Sequence, residues 1–533
     1  MKFRRFMSLL CASAMLVSVT GCGGSKDTAN VDPADKTEAG SKADGEKMGE
    51  VTFPLKEAKS YSVFAILDGE YDLKDNVAMQ KALSDANISF DYQSVMGADL
   101  SEKKNLVLAS GEYPDVFYKA SFSATELDKY GKQKILIPLE DMIKQYAPNL
   151  CALLDKVEGW DYITASDGHI YSLPEIDKEM PLLSPYWLNH RWLENLGLEE
   201  PKNLDELYTV LKEFKEKDAN GNGDVNDEIP ITGTDVVKPE LLLPYFGVPY
   251  DAVTKSAVLD GKLTYIPTSD VYKEFVAYIT KLYQEGLMDK NVFTQKHEQQ
   301  GAIGQSGDVF GSFFDAGAFL TVGRDNDDDY AILTPFEDGI YPISSGITAG
   351  TLAITDACES PEVIIAWADQ FYTEEGGMLA WLGVEGETWK KDAEGNWEWI
   401  IGNGYGDDIA AVRSNGTIQG AAYHPSIQPE YWFSGMSEEV DPDEVYLNKE
   451  RAKVTEMGAI PLPVMRYSDD DAKEISTLKA DLDAYIDQYL AQVATGELDL
   501  DSSWDEYVTT INNMGGAQLT EIYQKAYTAA MAE

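Results

Sequence analysis

Ser62-Val63-Phe64-Ala65-Ile66-Leu67 and, further on, Val116-Phe117-Tyr118 decide the fold class. Both are short apolar runs bounded by turn formers and rich in β-branched and aromatic side chains, as buried strands are. Between them, residues 76–86 and 101–109 carry apolar side chains at helical spacing. Strand, helix, strand, helix, strand is the grammar of an α/β layered sheet. The rest of the chain continues in the same manner. Helices are expected over 139–146, where Pro148 follows, and over 204–217, with Leu207, Leu211 and Phe214 on one face. Asn203 is placed to cap the latter, with Glu206 three residues on. Further helical patterns cover 271–285, 361–371 (Pro361 in the first turn after Ser360), 472–495 and 519–531. No internal repeat is present.

The N-terminus reads as an export signal. Lys2, Arg4 and Arg5 precede an apolar run over 6–19 that is too short for a comfortable membrane span. It ends in Val19-Thr20-Gly21-Cys22, the pattern of a bacterial lipobox. The expectation is cleavage of the signal peptide (1–21) after Gly21 and acylation of Cys22 by palmitate-like chains. An ordinary secretory signal with a chance Cys is the alternative. Residues 22–50 are rich in Ser, Gly, Asp, Lys, Ala and Glu and nearly free of large apolar side chains, so they read as a flexible tether. The expected location is the extracellular face of the cell membrane, held by the lipid alone, because no second run of about 18 apolar residues exists.

The chain has 533 residues and a formal charge of −49, which repels nucleic acid and anionic phospholipid. Hydrophobic residues make up 44%, ample for a core, and the length beyond the tether suggests two large lobes. Beyond Cys11 and Cys22 only Cys151 and Cys358 remain. They can form a disulfide or stay as two buried thiols, and free thiols are the expectation.

The sharpest constellation is Asp218-Ala-Asn220-Gly-Asn222-Gly223-Asp224-Val-Asn226-Asp227-Glu228-Ile-Pro230. Oxygen-bearing side chains at positions 1, 3, 5 and 9 around a Gly at 6 are what an EF-hand-like calcium loop uses, with the carbonyl of position 7, here Asp224. Position 12 is Ile229, so a bidentate carboxylate must come from Asp227 or Glu228. The role expected of calcium is structural. A polar turn without metal is the plainer reading. The acid run Asp325, Asp327, Asp328, Asp329 is expected to be a solvated loop.

Catalytic patterns are thin: four His without a metalloprotease pairing, no nucleophile elbow, no P-loop. The expectation is that the chain is not an enzyme. Aromatics are abundant, with 10 Trp and 30 Tyr. Sugar rings present C–H faces that stack on aromatic planes, while carboxylates, amides and Arg bind hydroxyls. Candidate platforms are Trp160, Tyr186, Trp187, Tyr245, Phe246, Trp381, Trp389, Tyr423 and Trp432. Core packing is the competing role for each. Loop-like surroundings favour ligand contact for Trp160, Tyr245 and Trp432.

Several segments in order resemble bacterial extracellular solute-binding lipoproteins (family 1 type) of carbohydrate ABC importers. They are Ala109-Ser-Gly-Glu-Tyr-Pro-Asp115, Ile137-Pro-Leu-Glu-Asp141 with Tyr146-Ala-Pro-Asn149, Asp167-Gly-His-Ile-Tyr-Ser-Leu-Pro174 and Trp187-Leu-Asn-His-Arg-Trp-Leu-Glu-Asn-Leu-Gly197. The Asp218 loop, Tyr283-Gln-Glu-Gly-Leu-Met-Asp289, Phe371-Tyr-Thr-Glu-Glu-Gly376, Gly383-Val-Glu-Gly-Glu-Thr-Trp389 and Tyr507-Val-Thr-Thr-Ile-Asn-Asn-Met-Gly515 complete the set. The resemblance implies a two-lobed, periplasmic-binding-protein-like clamp (type II, Venus flytrap) with an interlobe ligand cleft that closes by a hinge. The lobes are drawn at 51–178 plus 335–375 and at 179–334 plus 376–533. It further implies a monomer that captures a carbohydrate, an oligosaccharide for preference, and delivers it to the permease of an ABC importer. A ligand sensor and a surface glycoside-processing enzyme are the alternatives. In the family the acidic pair of the calcium loop comes one residue earlier, which leaves the ligand set here open.

Overall fold

The computed structural model describes residues 51–67, 72–235, 238–336, 339–420, 423–436 and 442–532. The signal, Cys22 and the tether lie outside the described residues. Eight strands build the two main sheets: β1 Lys59–Leu67, β2 Ile88–Met96, β3 Val116–Tyr118, β4 Leu173–Ile176, β5 Tyr186–Asn189, β6 Ser312–Phe314, β7 Tyr330–Ile332 and β8 Ile347–Ile354.

The first sheet has the order β2-β1-β3-β8-β4. β1 runs parallel to β2 and β3, and β8 runs antiparallel to β3 and β4. Alternation explains its burial. Val63, Ala65, Val116 and Tyr118 face one core, while Phe64 and Phe117 face the other, so both faces are covered. The helices Val77–Ala86 and Leu100–Ser110 connect β1 to β2 and β2 to β3, as the opening motif predicts. Asn76 caps the first through Met79 N–H at 3.0 Å. The second sheet, β6-β5-β7, is antiparallel and carries its own core, with Trp187, Trp192 and Phe313 fully buried.

The expected helices are present within a few residues of their drawn ends. Leu204–Glu216 is capped by the Asn203 side chain on Glu206 N–H at 2.9 Å. Pro148 not only follows one helix but opens the next, Pro148–Lys156. Ser360 makes no cap with its side chain and instead accepts from the Lys59 ammonium. No described helix is long and apolar enough to cross a membrane.

The division between the cores departs from the drawn boundaries. Trp381, Trp389, Trp397, Trp399, Val412, Ile418 and Trp432 pack with the first sheet, although 376–533 was drawn with the second lobe. Tyr341 packs in the second core, although 335–375 was drawn with the first. Sequence order cannot say which core an amphipathic segment covers. Here the helix Glu374–Trp381 and the hairpin Trp389–Lys391/Trp397–Trp399 bury their tryptophans together.

Three stretches of chain lie side by side where the two cores meet. Asp177 N–H donates to Gly346 O at 2.7 Å, Ser344 N–H to Met180 O at 2.8 Å, Leu182 N–H to Pro342 O at 2.9 Å and Ile343 N–H to Ala459 O at 3.1 Å. Gly346 is required: its φ is 71°, and a Cβ there would meet Asp177 O at 2.2 Å. Few-residue joins of this kind absorb the φ/ψ change of domain closure.

Candidate functional site

In open α/β sheets the ligand crevice lies beyond the carboxyl ends of the strands. Here β1, β3 and β4 point the same way, so their carboxyl ends share the edge from which residue 177 leaves for the second core. The turn after β3 is conformationally unusual: Lys119 and Ser121 have φ of 53° and 48°, a strain that clusters at functional sites. The buried Lys104 ammonium holds it by donating to Ala120 O, Ser121 O and Glu126 Oε2 at 3.1, 3.0 and 2.8 Å.

A second crest stands on the other lobe. β6 ends at Phe314, beside the point where β5 arrives from the hinge, and Asp315 N–H donates to Pro185 O at 3.3 Å. Residues 229–232 run parallel to β6, with Thr232 N–H on Ser312 O at 3.0 Å, and so end on the same side. Residues 232–235 and 315–317 thus form a polar rim. The Asp315 carboxylate takes Ala316 N–H at 2.7 Å and Thr321 Oγ at 2.8 Å, and His297 Nε2 lies 2.8 Å away. That contact raises the His297 pKa against the opposing effect of burial. Gln295 Nε2 donates to Thr232 Oγ1 at 2.9 Å and Asp289 Oδ2 at 3.0 Å. Lys296 pairs with Asp235.

On the first lobe the rim starts at the buried Glu175. Burial lifts the Glu175 carboxyl to about 7 against the Gln419 and His424 hydrogen bonds and the Lys119 charge. Burial and then Glu175 push Asp177 well above the carboxylate range, and burial lowers Lys178 to about 8. Two crests of hydrogen-bonding groups around a hinge suit a polar ligand with many hydroxyls.

Most of the aromatic platforms expected from sequence are core. Tyr186 lies against Phe314 with centroids 4.8 Å apart, and Trp187 Nε1 donates to Asp315 O at 2.9 Å inside the second core. Tyr245 is buried against Tyr186 and Phe336. Trp381 and Trp432 pack at 5.4 Å and Trp397 stacks on Trp432 at 5.0 Å, while Trp389 is buried beside them. Turn-forming neighbours mark where these rings close buried elements, not exposure. Phe246 is half-buried on Phe275. Trp160 is half-buried, with Nε1 on Asp155 at 2.7 Å. Tyr423, 45% exposed, is the one whose ring stays open. Sequence reasoning missed Lys119, Glu175, Gln419, His424, His297 and Asp315. For Lys119 the signal existed, since it directly follows a recognised strand.

The 218–228 loop is folded by its own side chains. Asp218, Asn220, Asn222 and Asp224 accept from the N–H of Gly223, Asn222, Asp224 and Asn226 at 2.7–3.1 Å. Glu228 Oε1 accepts Ala219 N–H at 3.0 Å. Asp218 Oδ1 and Glu228 Oε2 are buried with no hydrogen-bond partner, a cost that a cation would remove. Among the described residues no three His, Cys, Asp or Glu side chains converge as a metal cluster. A cation here would depend equally on amide and backbone oxygens. The acid run is less solvated than expected: Asp327 is buried on Arg324 at 3.1 Å, and Asp329 meets Arg191 at 2.9 Å. Cys151 and Cys358 are free.

Residues 72–378 match the family described as bacterial extracellular solute-binding protein. The fructooligosaccharide ABC transporter substrate-binding protein FusA of Streptococcus pneumoniae serotype 4 is 31% identical over 391 residues, 70% of each chain. The structure of a FusA EF-hand mutant in complex with fructo-nystose superposes with a TM-score of 0.70 at 24% identity, covering 89% of this chain and 99% of that one. An HMO-binding, ABC-transporter-associated solute-binding protein of Bifidobacterium longum infantis gives 0.73 at 21%, covering 88% and 98%. Lipoprotein LipO of Bacillus subtilis is 30% identical over 204 residues, 37% of this chain and 38% of LipO. With its two-core α/β architecture and hinged polar crests, this chain belongs to the bacterial extracellular solute-binding protein family.

Proposed function

We propose that the chain captures an oligosaccharide between its lobes and hands it to the permease of an ABC importer, while anchored to the extracellular face of the membrane through acylated Cys22. The observation that carries this reading is the pair of hydrogen-bonding crests, Glu175–Lys178 with Tyr423 on one side and 232–235 with Asp315 on the other, set around three hinge strands. FusA is named for fructooligosaccharides, and sugar hydroxyls need many such partners. Tyr423 offers the ring face, and Trp160 is a second candidate. The lipobox and the relation to LipO support the anchor. Binding without turnover fits the family, and the protein acts as a monomer.

Calcium pins the 218–228 loop in this reading. Asp218, Asn220, Asn222, Asn226, the Asp224 carbonyl and a carboxylate of Asp227 or Glu228 would hold it. The orphaned oxygens of Asp218 and Glu228 support the fit, as does the EF-hand named for FusA.

The test is thermal unfolding of the chain lacking residues 1–25, against a panel of oligosaccharides with and without calcium. A ligand at 100 times its Kd stabilises the native state by about 2.7 kcal/mol. A shift with one sugar class, and full recovery of the sugar afterwards, is expected. No shift with any sugar, or steady sugar breakdown, overturns the reading.

A further inference from the structure

Buried carboxylates are rare without a cation in hydrogen-bond contact. Glu175, 1% exposed, is met by neutral donors. The Gln419 amide donates to Oε1 and Oε2 at 2.9 and 3.0 Å, and the His424 backbone N–H donates to Oε2 at 2.6 Å. The Lys119 ammonium contributes charge and donates to the Ile418 carbonyl. Glu175 is therefore gripped by one stretch of chain. That stretch runs on along β4: Ile176 N–H donates to Ser426 O at 2.8 Å, and Gln428 N–H to Ile176 O at 3.0 Å. The His424 ring is wedged edge-on against Tyr118 and Phe371, with centroids at 5.5 and 4.6 Å. Its neighbour is Tyr423, the exposed aromatic, whose hydroxyl feels the charges of Glu175 and Asp177.

Resting on the oligosaccharide reading above, we infer that Glu175 is a positioning residue of the binding face: it holds Gln419 and the His424 backbone against β4 so that Tyr423 stands out toward the cleft. It touches no ligand itself. Its charge matters to this role. Protonated, one oxygen becomes a donor that faces N–H donors. Burial raises the carboxyl to about 7, while the bonds from Gln419 and His424 pull it down, so docking of the loop and ionisation favour each other. The other groups around it are Lys119 from the turn after β3, Asp177 just past the end of β4, Tyr372, Tyr423 and His424, whose imidazole burial keeps neutral. The Glu175 charge also raises Asp177, so the pH profile needs the variant beside it.

The experiment combines amide hydrogen exchange, sugar affinity and pH on three chains: the parent, Glu175→Gln, and Glu175→Gln with Gln419→Glu. In Glu175→Gln, exchange at 423–428 rises about tenfold while β1 and β3 stay protected. The Kd for the sugar that the parent binds weakens about tenfold. Parent affinity weakens below about pH 7, and the variant's profile is shallower there. The double variant exchanges carboxylate for amide across the same contact and restores both protection and affinity. Unchanged exchange, or faster exchange with unchanged affinity, overturns the inference. If Glu175→Gln fails to fold, a parent profile that is flat through pH 7 overturns it and a falling one supports it. A parent that binds no sugar sinks the oligosaccharide reading, and the exchange data still decide whether Glu175 holds the loop.

Discussion

The two lobes present similar polar crests and hold them by different means. On the first lobe the crest rests on a tryptophan-rich core, in which Trp381, Trp397 and Trp399 surround Trp432, and on a buried carboxylate met by neutral donors. On the second it rests in part on a buried polar network, Gln295 with Thr232 and Asp289, and in part on half-open ionic contacts, His297 with Asp315 and Lys296 with Asp235, beside a self-bonded polar loop at 218–228. Burial gives the first lobe stiffness that solvent and salt reach poorly. The second lobe's ionic contacts and its polar loop are exposed to ions, pH and chelators.

The largest test of that contrast lies within the first lobe. Tyr423 and Trp432 are close in sequence, yet one is open and the other 1% exposed. Trp432→Ala should cost about 3–5 kcal/mol, because a large ring leaves a cavity among its neighbours. Denaturant unfolding reads this directly. Tyr423→Ala should leave stability within about 0.5 kcal/mol and weaken sugar affinity about tenfold. If Tyr423→Ala unfolds the chain, or Trp432→Ala proves harmless, the assignment of core and platform is reversed.

Next in size is the cation. If calcium fills the loop as proposed, a chelator should lower the melting midpoint, the loss of stability reaching about 2.7 kcal/mol at 100 times Kd. Asp218→Ala should abolish that dependence. The loss should appear in amide exchange at 204–230 and leave β1 and β3 protected. Calcium dependence that survives Asp218→Ala would move the site elsewhere. Equal loss in both lobes would break the contrast.

The sequence made the layered α/β class legible, because strand and helix periods appear in short windows, as at Ser62–Leu67 and residues 204–216. The 218–228 loop was equally visible as a polar turn, since the side chains and N–H groups that fold it lie within eleven residues of chain. The cleft was not. Glu175 and Gln419 meet across 244 positions, and Arg191 meets Asp308 across 117. No local period encodes such partners. The aromatic platforms failed for a related reason: Trp432 and Tyr245 have loop-like neighbours, but exposure is set by what folds over them from distant segments.

The smallest effect, and the one that separates affinity from stability, is pH. Glu175 is raised by burial to about 7, and His297 is raised by its Asp315 hydrogen bond. In both the folded chain holds a proton more tightly than the unfolded chain, so stability falls as pH rises. The first-lobe share is lost between the ordinary carboxylate range and about pH 7, and the second-lobe share from the ordinary imidazole pKa upward. The His297 share is the weaker, since its ring is partly open to solvent. Melting midpoints across this range should fall by a few degrees at most. Glu175→Gln should make the lower limb shallower, and His297→Gln the upper. Sugar affinity should move the other way over the lower limb, strengthening as Glu175 ionises and docks the Tyr423 stretch. A parent chain whose affinity and melting midpoint fall together as pH rises through 7 would show that burial of Glu175, and not its grip on Gln419 and His424, dominates the first crest.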